Sequence, residues 1–294
     1  MIPQQVKELL KTRLSQRSGK TVSSFECRSV GGGSINSTYQ VTTDAGKKFF
    51  LKLNDETAFP RLFEKERNGL GFIDRQNCIL TPPVVFYETN GNYQLLLLEW
   101  IEGGIRNESF WKKFGEQLAK LHSVTQEHFG FLEDNYMGSL PQINTFTNDW
   151  SEFFNNYRLR PQMELALTKG LLDKSHIVAF ETLFKRSASI FNPGKPSLLH
   201  GDLWSGNLMC NEQSSPVLID PAVYFGHRSM DLAMTTLFGG FDKSFYDAYH
   251  YHLPLPVNYE EQWELCNLYP LLIHLNLFGK SYLPAILNTL RNFT

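Results

Sequence analysis

The chain has 294 residues, of which 42% are hydrophobic and 20% charged, and its formal net charge is −2. The length suits two domains or a two-lobed unit, and the composition is that of an ordinary globular protein. The chain lacks the clustered basic excess of a nucleic-acid-binding surface. No run of about eighteen apolar residues appears, so we expect no transmembrane helix and no membrane partner.

The N-terminal segment and the cysteines favour a cytoplasmic protein. Residues 1–6 contain no positively charged region followed by an apolar stretch, so we expect no secretory signal. The cysteines stand far apart and form neither a C-x-x-C pair nor a zinc-binding spacing. We therefore expect free thiols in a reducing compartment. The cysteines are Cys27, Cys78, Cys210 and Cys266.

The first third of the chain combines β-strand patterns with two helical patterns. Val6, Leu10 and Leu14 recur at helical spacing and predict a short opening helix. Short strand patterns bounded by turn residues follow, and one helical pattern interrupts them. The predicted strands cover residues 25–30, 37–42, 48–53, 84–87 and 93–99, and the second helix covers residues 59–72. These patterns predict a small antiparallel sheet with one inserted helix.

The rest of the chain is predicted to be mainly helical. Glu102-Gly103-Gly104 marks the predicted boundary, and beyond it apolar residues recur every three or four positions, with Asn107 as a predicted N-cap. We therefore predict an α+β fold with an N-terminal lobe over residues 1–101 and a C-terminal helical lobe over residues 102–294. A nucleotide cleft is expected between the two lobes.

The segment His200-Gly201-Asp202-Leu203-Trp204-Ser205-Gly206-Asn207 contains the spacing H-x-D-x-x-x-x-N. Protein kinases use this spacing in the catalytic loop, where the Asp is the base and the Asn a metal ligand. A carboxylate can orient and deprotonate an attacking hydroxyl, and a side-chain carbonyl oxygen suits Mg²⁺. We predict Asp202 as the catalytic base and Asn207 as a magnesium ligand. We expect His200 to fix the loop backbone rather than to carry a proton.

A second carboxylate follows at the end of an apolar strand. Asp220 stands thirteen residues after Asn207, where a protein kinase has the Asp of its D-F-G segment, although here Pro221 and Ala222 follow it. We predict Asp220 as the second magnesium ligand. The alternative is an ordinary Asp that begins a turn before a proline.

One lysine lies inside an apolar strand pattern, Phe49-Phe50-Leu51-Lys52-Leu53. A buried ammonium group is costly without an anionic partner, so we predict that Lys52 contacts the phosphates of ATP and a glutamate on the next helix. Glu66 is the first candidate for that glutamate and Glu64 the second. The alternative places Lys52 on the solvated face of an edge strand.

Two further segments are predicted to contact the nucleotide. In a glycine-rich loop between two strands, backbone amides can approach phosphates closely, although the loop alone favours a plain hairpin turn. The predicted loop contacts are Gly32, Gly33, Ser34 and Asn36. A buried strand then leads to the predicted hinge at Glu99, Trp100 and Ile101, whose backbone groups would bind the adenine edge. An ordinary exit from the strand is the alternative.

Taken together, these motifs resemble the fructosamine kinase (ketosamine-3-kinase) family, which is related in fold to aminoglycoside phosphotransferases. The segments that carry the resemblance are residues 32–36, 199–207, 220–228, 231–234 and 277–279. The resemblance extends over nearly the whole chain and implies a two-lobed, protein-kinase-like fold that uses ATP and Mg²⁺. It also implies phosphorylation of the 3-hydroxyl of a ketosamine, the rearranged adduct of a sugar with a small amine or a protein lysine. The product of that reaction is unstable and releases the amine, which amounts to deglycation repair.

Several residues are candidates for the substrate side of the site. Trp204 is predicted to stack on the sugar or the amine, with packing beneath the loop as an equal alternative. His227 and Arg228 are predicted to contact substrate or phosphate, with a plain surface loop as the alternative. Ser229 stands where the family pattern has an acidic residue, which bears on substrate preference or on a local salt bridge. Asp231 is predicted to brace the catalytic loop.

Two other functions fit parts of the sequence. One is phosphorylation of a different small alcohol, such as an aminoglycoside or choline, although no strongly acidic C-terminal run suits a polycationic antibiotic. The other is a nucleotide-binding pseudokinase that acts as a scaffold. The joint presence of Lys52, Asp202, Asn207 and Asp220 argues against the scaffold.

Overall fold

The computed structural model describes residues 2–31, 35–191 and 194–293 of the chain. Its N-terminal part contains a five-stranded antiparallel sheet. The strands are β1 (Phe25–Ser29), β2 (Ser37–Thr43), β3 (Lys48–Asp55), β4 (Val84–Asn90) and β5 (Tyr93–Glu99). They lie in the order β1-β2-β3-β5-β4, so β3 is the middle strand. The predicted small antiparallel sheet is confirmed.

Two helices cover the two faces of this sheet. Helix α1 (Gln4–Ser18) packs its apolar residues against the face that contains Leu51 and Leu97, and α2 (Leu62–Asp74) packs against the opposite face. Because successive residues of a strand alternate between faces, Lys52 lies on the side of α2. Helix α2 begins three residues later than predicted, since Arg61 before it has a left-handed conformation with φ 61°.

The C-terminal part is mainly helical and encloses the largest apolar core of the described residues. Its first helices are α3 (Glu108–His122), α4 (Trp150–Phe154), α5 (Arg160–Thr168) and α6 (Lys174–Ile190). The later ones are α7 (Ser229–Leu237), α8 (Lys243–His252), α9 (Tyr259–Cys266), α10 (Leu268–Phe278) and α11 (Leu283–Phe293). The side chain of Asn107 accepts a hydrogen bond from the backbone N–H of Phe110, so the predicted N-cap is confirmed.

Short two-stranded sheets interrupt these helices and carry the loops of the site. They pair β6 (Asn135–Met137) with β7 (Leu140–Gln142), β8 (Ser197–Leu199) with β11 (Tyr224–Gly226), and β9 (Leu208–Cys210) with β10 (Pro216–Leu218). The large sheet ends at Glu99 and α3 begins at Glu108, while the division of the chain after residue 101 stays a prediction. Within the described ranges, no helix is both long enough and apolar enough to cross a membrane.

Candidate active site

Asp231 holds the backbone of the catalytic loop in place. It lies in the first turn of α7, and its carboxylate accepts hydrogen bonds from the backbone N–H groups of His200 (2.7 Å) and Gly201 (2.9 Å). The buried ring of His122 contacts the same carboxylate at 3.2 Å. Hydrogen bonds to a charged acceptor are stronger than neutral ones, so Asp231 rigidifies the loop. The predicted bracing role is confirmed.

His200 is fully buried and links the catalytic loop to the residue that follows β10. Its Nε2 lies 2.9 Å from the carbonyl oxygen of Ile219, and its Nδ1 accepts a hydrogen bond of 3.3 Å from the backbone N–H of Asp202. Burial lowers the pKa of His200, which favours a neutral ring with the proton on Nε2. This arrangement confirms the predicted structural role of His200.

Gly201 allows the catalytic loop and the loop after Asp220 to touch. Its φ is +85°, and a Cβ at this position would lie 2.0 Å from the carbonyl oxygen of Ala222. The backbone N–H of Ala222 in turn donates to the carbonyl oxygen of His200 at 2.9 Å. Only glycine fits this backbone contact, which fixes the spacing between the catalytic loop with Asp202 and the loop after Asp220.

Asp202 and Asn207 form a hydrogen-bonded pair inside the loop. The amide Nδ2 of Asn207 donates to the backbone oxygen of Asp202 at 2.8 Å and to its carboxylate at 3.0 Å. Burial, and then the nearby charge of Asp220, raise the pKa of Asp202 to about 7 against the opposing effects of Asn207 and Lys52. A carboxylate with this pKa exchanges protons near neutral pH, as a general base requires.

Lys52 connects the two lobes through two carboxylates. Its Nζ lies 2.7 Å from Glu66 and 2.7 Å from Asp220, and 2% of its side chain is exposed. Burial disfavours the ammonium form, but Asp220 and Glu66 outweigh burial and raise the pKa of Lys52. Burial raises the pKa of Glu66 to about 7. The edge-strand alternative for Lys52 is wrong, and its partner is Glu66 rather than Glu64, which pairs with Arg61.

Asn207 and Asp220 provide oxygen atoms of the kind that Mg²⁺ prefers. The Nδ2 of Asn207 is engaged by Asp202, which leaves its Oδ1 as the potential ligand. Asp220 has a left-handed backbone (φ 56°) and lines two neighbouring cavities of the cleft. Among the described residues, no group of three or more His, Cys, Asp or Glu side chains could hold a metal ion. Magnesium at a nucleotide commonly takes one or two protein ligands beside phosphate and water oxygens, so these two residues fit it.

One half of the cleft, which we call the nucleotide half because we predict that the nucleotide binds there, lies under the sheet and against the predicted hinge. Its apolar lining comes from both lobes and includes Val30, Phe50, Pro82, Leu98, Met209 and Ile219. The predicted hinge residues Glu99, Trp100 and Ile101 also line it. The N–H of Glu99 donates to the carbonyl oxygen of Pro83 at 2.9 Å and its side chain pairs with Lys47 at 3.1 Å, so this N–H is engaged within the protein. The adenine contacts of the other hinge groups stay predictions.

The glycine-rich loop is described only in part. Gly32, Gly33 and Ser34 lie outside the described residues, so their predicted contacts with phosphate stay predictions. Asn36 borders both halves of the cleft, and its Oδ1 accepts a hydrogen bond of 2.6 Å from Asn54 on β3. This bond ties the end of the loop to the strand that carries Lys52.

The other half of the cleft is a cavity of about 330 Å³ beside Asp202, and we call it the acceptor half because we predict that the acceptor binds there. Trp204 lines it with 37% of its surface exposed, and its indole covers Gly206, where a Cβ would lie 2.3 Å from the ring. Trp204 therefore both faces the cavity and packs on its own loop. Its contact with a substrate stays a prediction.

The structure corrects the expectation that His227 and Arg228 contact substrate or phosphate. The ring of His227 packs against Trp150 and Phe191, at 5.9 Å and 5.1 Å between ring centroids. The guanidinium of Arg228 donates to the carbonyl oxygens of Leu253 and Pro254, past the end of α8. Neither residue is among the described residues that line the cleft, because the chain turns into α7 immediately after β11.

Ser229, which departs from the family pattern, is also buried away from the cleft. Its Oγ donates a hydrogen bond of 2.9 Å to Oε1 of the buried Gln262. A neutral pair therefore takes the place where we considered a salt bridge. Ser229 therefore contributes to the packing of α7 on α9 and does not line the acceptor cavity.

The sequence did not predict several residues that shape the acceptor half. Tyr136, Met137 and Gly138 from the β6–β7 hairpin line it, as do His274 and Phe278 on α10. The local signal for the hairpin was Gly138, whose φ of +60° makes the tight turn possible. Phe278 lies in residues 277–279, which carry part of the family resemblance, but that segment gave it no role at the site. His274 belongs to an apolar helical pattern that equally describes a buried helix.

Comparison with known proteins decides the family. A family model described as fructosamine kinase matches residues 6–294. The chain belongs to the fructosamine kinase family. It is 38% identical over 272 residues to a probable ketoamine kinase of Synechocystis sp., covering 92% of this chain and 90% of the relative. It is also 38% identical over 287 residues to the chloroplastic protein-ribulosamine 3-kinase of Arabidopsis thaliana, covering 94% of this chain and 84% of that protein.

Solved structures agree with this membership. A candidate fructosamine-3-kinase from Thermobifida fusca superimposes with a TM-score of 0.86 at 31% identity, covering 96% of this chain and 97% of that one. The fructosamine kinase chain described here thus has the predicted two-lobed, protein-kinase-like α+β fold. Its family membership also establishes it as an ATP-dependent phosphotransferase.

Proposed function

We propose that this chain transfers the γ-phosphate of ATP to the 3-hydroxyl of ketosamines in a magnesium-dependent reaction. The proposal is based mainly on one cavity, which is lined by Asp202, Asn207, Lys52 and Asp220. Family membership supports a ketosamine as the acceptor. The relatives named above are a ketoamine kinase and a ribulosamine kinase, which is the same class of substrate.

In the proposed mechanism, Asp202 orients the attacking hydroxyl and accepts its proton. Asn207 holds the Asp202 carboxylate in place through its amide, and its Oδ1 together with Asp220 would hold the magnesium ion. When bound, magnesium neutralises charge on the phosphate oxygens. Lys52, fixed by Glu66, contributes a positive charge beside those oxygens. The protein thus supplies position and charge, which is most of what a loose phosphoryl transition state requires.

The reaction would make this a repair enzyme. A phosphate on the 3-hydroxyl of a ketosamine leaves an unstable product that falls apart and frees the amine. Fructosyl, ribulosyl and erythrulosyl adducts of a small amine or of a protein lysine are all members of the proposed substrate class. The cytoplasm stays the predicted location, in agreement with the free thiols of its cysteines.

The experiment is an ADP-release assay with ATP and magnesium over a panel of acceptors. The panel contains fructosyl-, ribulosyl- and erythrulosyl-lysine, an aminoglycoside, choline and a reaction without acceptor. We expect turnover with at least one ketosamine and none with the aminoglycoside or choline. Turnover with choline or the aminoglycoside alone would replace the proposed acceptor, and tight ATP binding without any turnover would favour a scaffold.

A further inference from the structure

The acceptor half of the cleft continues outward along a row of aromatic rings, which we call the aromatic wall. It consists of Trp204, Phe238, His274 and Phe278. The ring centroids of successive members lie 6.2 Å, 4.9 Å and 5.4 Å apart, which is contact distance for aromatic pairs. The wall joins the catalytic loop, the end of α7 and the last turns of α10 into one surface.

The wall is exposed although it is aromatic. Trp204, Phe238 and Phe278 are 37%, 41% and 51% exposed. Contiguous exposed apolar side chains beside a cavity mark a binding surface more often than a folding requirement. Trp204, His274 and Phe278 line the same cavity as Asp202, so the wall begins at the reacting end of the cleft and leads outward.

The carboxylates around the cavity are already engaged, so a bound cation would have to contact the faces of the aromatic rings. Among the described residues, the carboxylates that line it are Glu66, Asp202 and Asp220, and each of them already has a partner or a role in the proposed reaction. Lys65, which also lines it, pairs with Glu133 at 2.5 Å. A positive group lying beyond the reacting hydroxyl would therefore meet aromatic faces, which attract cations.

His274 adds a hydrogen-bond acceptor to the wall. Its Nδ1 lies 2.7 Å from the carbonyl oxygen of Pro270, so Nδ1 carries the proton and donates. Burial lowers the pKa of His274, which keeps the ring neutral. In this tautomer Nε2 is an acceptor and can receive an N–H group.

We propose that the aromatic wall binds the alkylammonium arm of the acceptor, that is, the protonated amine of a ketosamine and the alkyl chain attached to it. This inference rests on the proposed function. In a ketosamine the amine is on C1 and the reacting hydroxyl on C3, so four bonds of about 1.5 Å place the nitrogen within about 5 Å of the hydroxyl oxygen. With the hydroxyl at Asp202, the nitrogen lies at the start of the wall and the alkyl chain runs along it towards Phe278.

The test compares two acceptors that share a sugar and differ in one atom. One is a ribulosyl adduct of an alkylamine, and the other has an ether oxygen in place of the amine nitrogen. We expect the wild-type protein to prefer the amine by about threefold to thirtyfold in kcat/KM, the range of cation–π contacts. In the variant Trp204→Leu, which keeps an apolar side chain but removes the ring face at the start of the wall, this preference should shrink towards onefold, while turnover of the ether acceptor reports an intact catalytic loop. The rise in KM for the amine should exceed any fall in kcat, and the KM for ATP should not change.

A matched control is Phe146→Leu, since Phe146 is 44% exposed but lies outside the cleft. It should keep the wild-type preference. An unchanged preference in Trp204→Leu would overturn the role of the wall and leave the proposed function intact. Absence of wild-type turnover with both acceptors would overturn the proposed function and this inference together.

Discussion

The side-chain amide of Asn207 donates hydrogen bonds to both the backbone oxygen and the carboxylate of Asp202, at 2.8 Å and 3.0 Å. One residue thereby orients the proposed base with its nitrogen and keeps its oxygen for a metal ion. The two predicted functions of the catalytic loop are coupled through this one side chain. A change at Asn207 should disturb both functions at once.

We therefore expect Asn207→Ala to weaken activation by magnesium by at least about tenfold to 100-fold, the range seen when partners of metal sites are removed. The value of kcat should also fall, because Asp202 loses the donor that fixes its carboxylate. The measurement is the initial rate against free magnesium at saturating ATP and acceptor. A magnesium dependence equal to that of the wild type would remove Asn207 from the metal site.

Lys52 should be needed for catalysis. In Lys52→Met the charge beside the phosphates is lost, and we expect kcat to fall by about 100-fold or more, as when one stabilising donor is removed. Lys48→Met is the control, because Lys48 is on the same strand with 42% of its side chain exposed. If both variants kept wild-type turnover, Lys52 would have no part in binding the phosphates.

Gly201→Ala tests the backbone contact between the catalytic loop and the loop after Asp220. A Cβ would meet the carbonyl oxygen of Ala222 at 2.0 Å in a backbone with φ +85°, so we expect a loss of roughly 2–5 kcal/mol in the free energy of unfolding. Gly170→Ala is matched to it, with φ +66° and no atom within 4 Å, and should lose about 1 kcal/mol. Urea denaturation measures both. Equal losses in the two variants would contradict the close approach.

His227 should make the protein less stable in acid. Burial, then the charges of Arg228 and His122, lower the pKa of His227 to about 3, against an ordinary value of 6.5. Above pH 6.5 the ring is neutral in both the folded and the unfolded chain. Between pH 6.5 and 3 the unfolded chain takes up the proton and the folded chain does not, so the free energy of unfolding falls as the pH falls, by at most about 1.4 kcal/mol per pH unit.

The variant His227→Asn should remove this part of the acid sensitivity, since its Oδ1 can replace Nδ1 as the acceptor of the Ser229 N–H. Urea denaturation between pH 7 and pH 5 measures the slope, and His128→Asn, at a more exposed histidine, is the control. The part of the pH dependence that comes from other buried histidines, such as His200, should remain. A slope unchanged from the wild type would show that His227 is not held neutral by its surroundings.

The residues that meet in the cleft as proposed catalytic residues could be singled out because their signals are local. Asp202 and Asn207 lie in one loop, Asp220 ends the next strand, and Lys52 is a charge within an apolar strand that demands a partner. A charged or polar residue within an apolar strand, at a strand end or in a loop motif has few physical explanations. The number of roles to consider for it is therefore small.

Apart from Trp204, the acceptor side was not predictable in the same way. Trp204, Phe238, His274 and Phe278 come from separate segments, and only tertiary packing brings their rings together. His227 shows the opposite error. It lies in a motif next to the site, but the start of α7 carries its side chain away from the cleft, and local sequence does not indicate that turn.

Asp202 is the proposed base of a ketosamine kinase. General-base removal costs about 100-fold to 10,000-fold, so Asp202→Asn should lose at least 100-fold in ketosamine-dependent ADP release while it still binds ATP. The measurement is ADP release with ribulosyl-lysine, beside ATP binding by calorimetry, for the wild type and the variant. Wild-type turnover that disappears in a variant with normal ATP binding is the predicted result. Near-normal turnover in Asp202→Asn would contradict the assignment of the base.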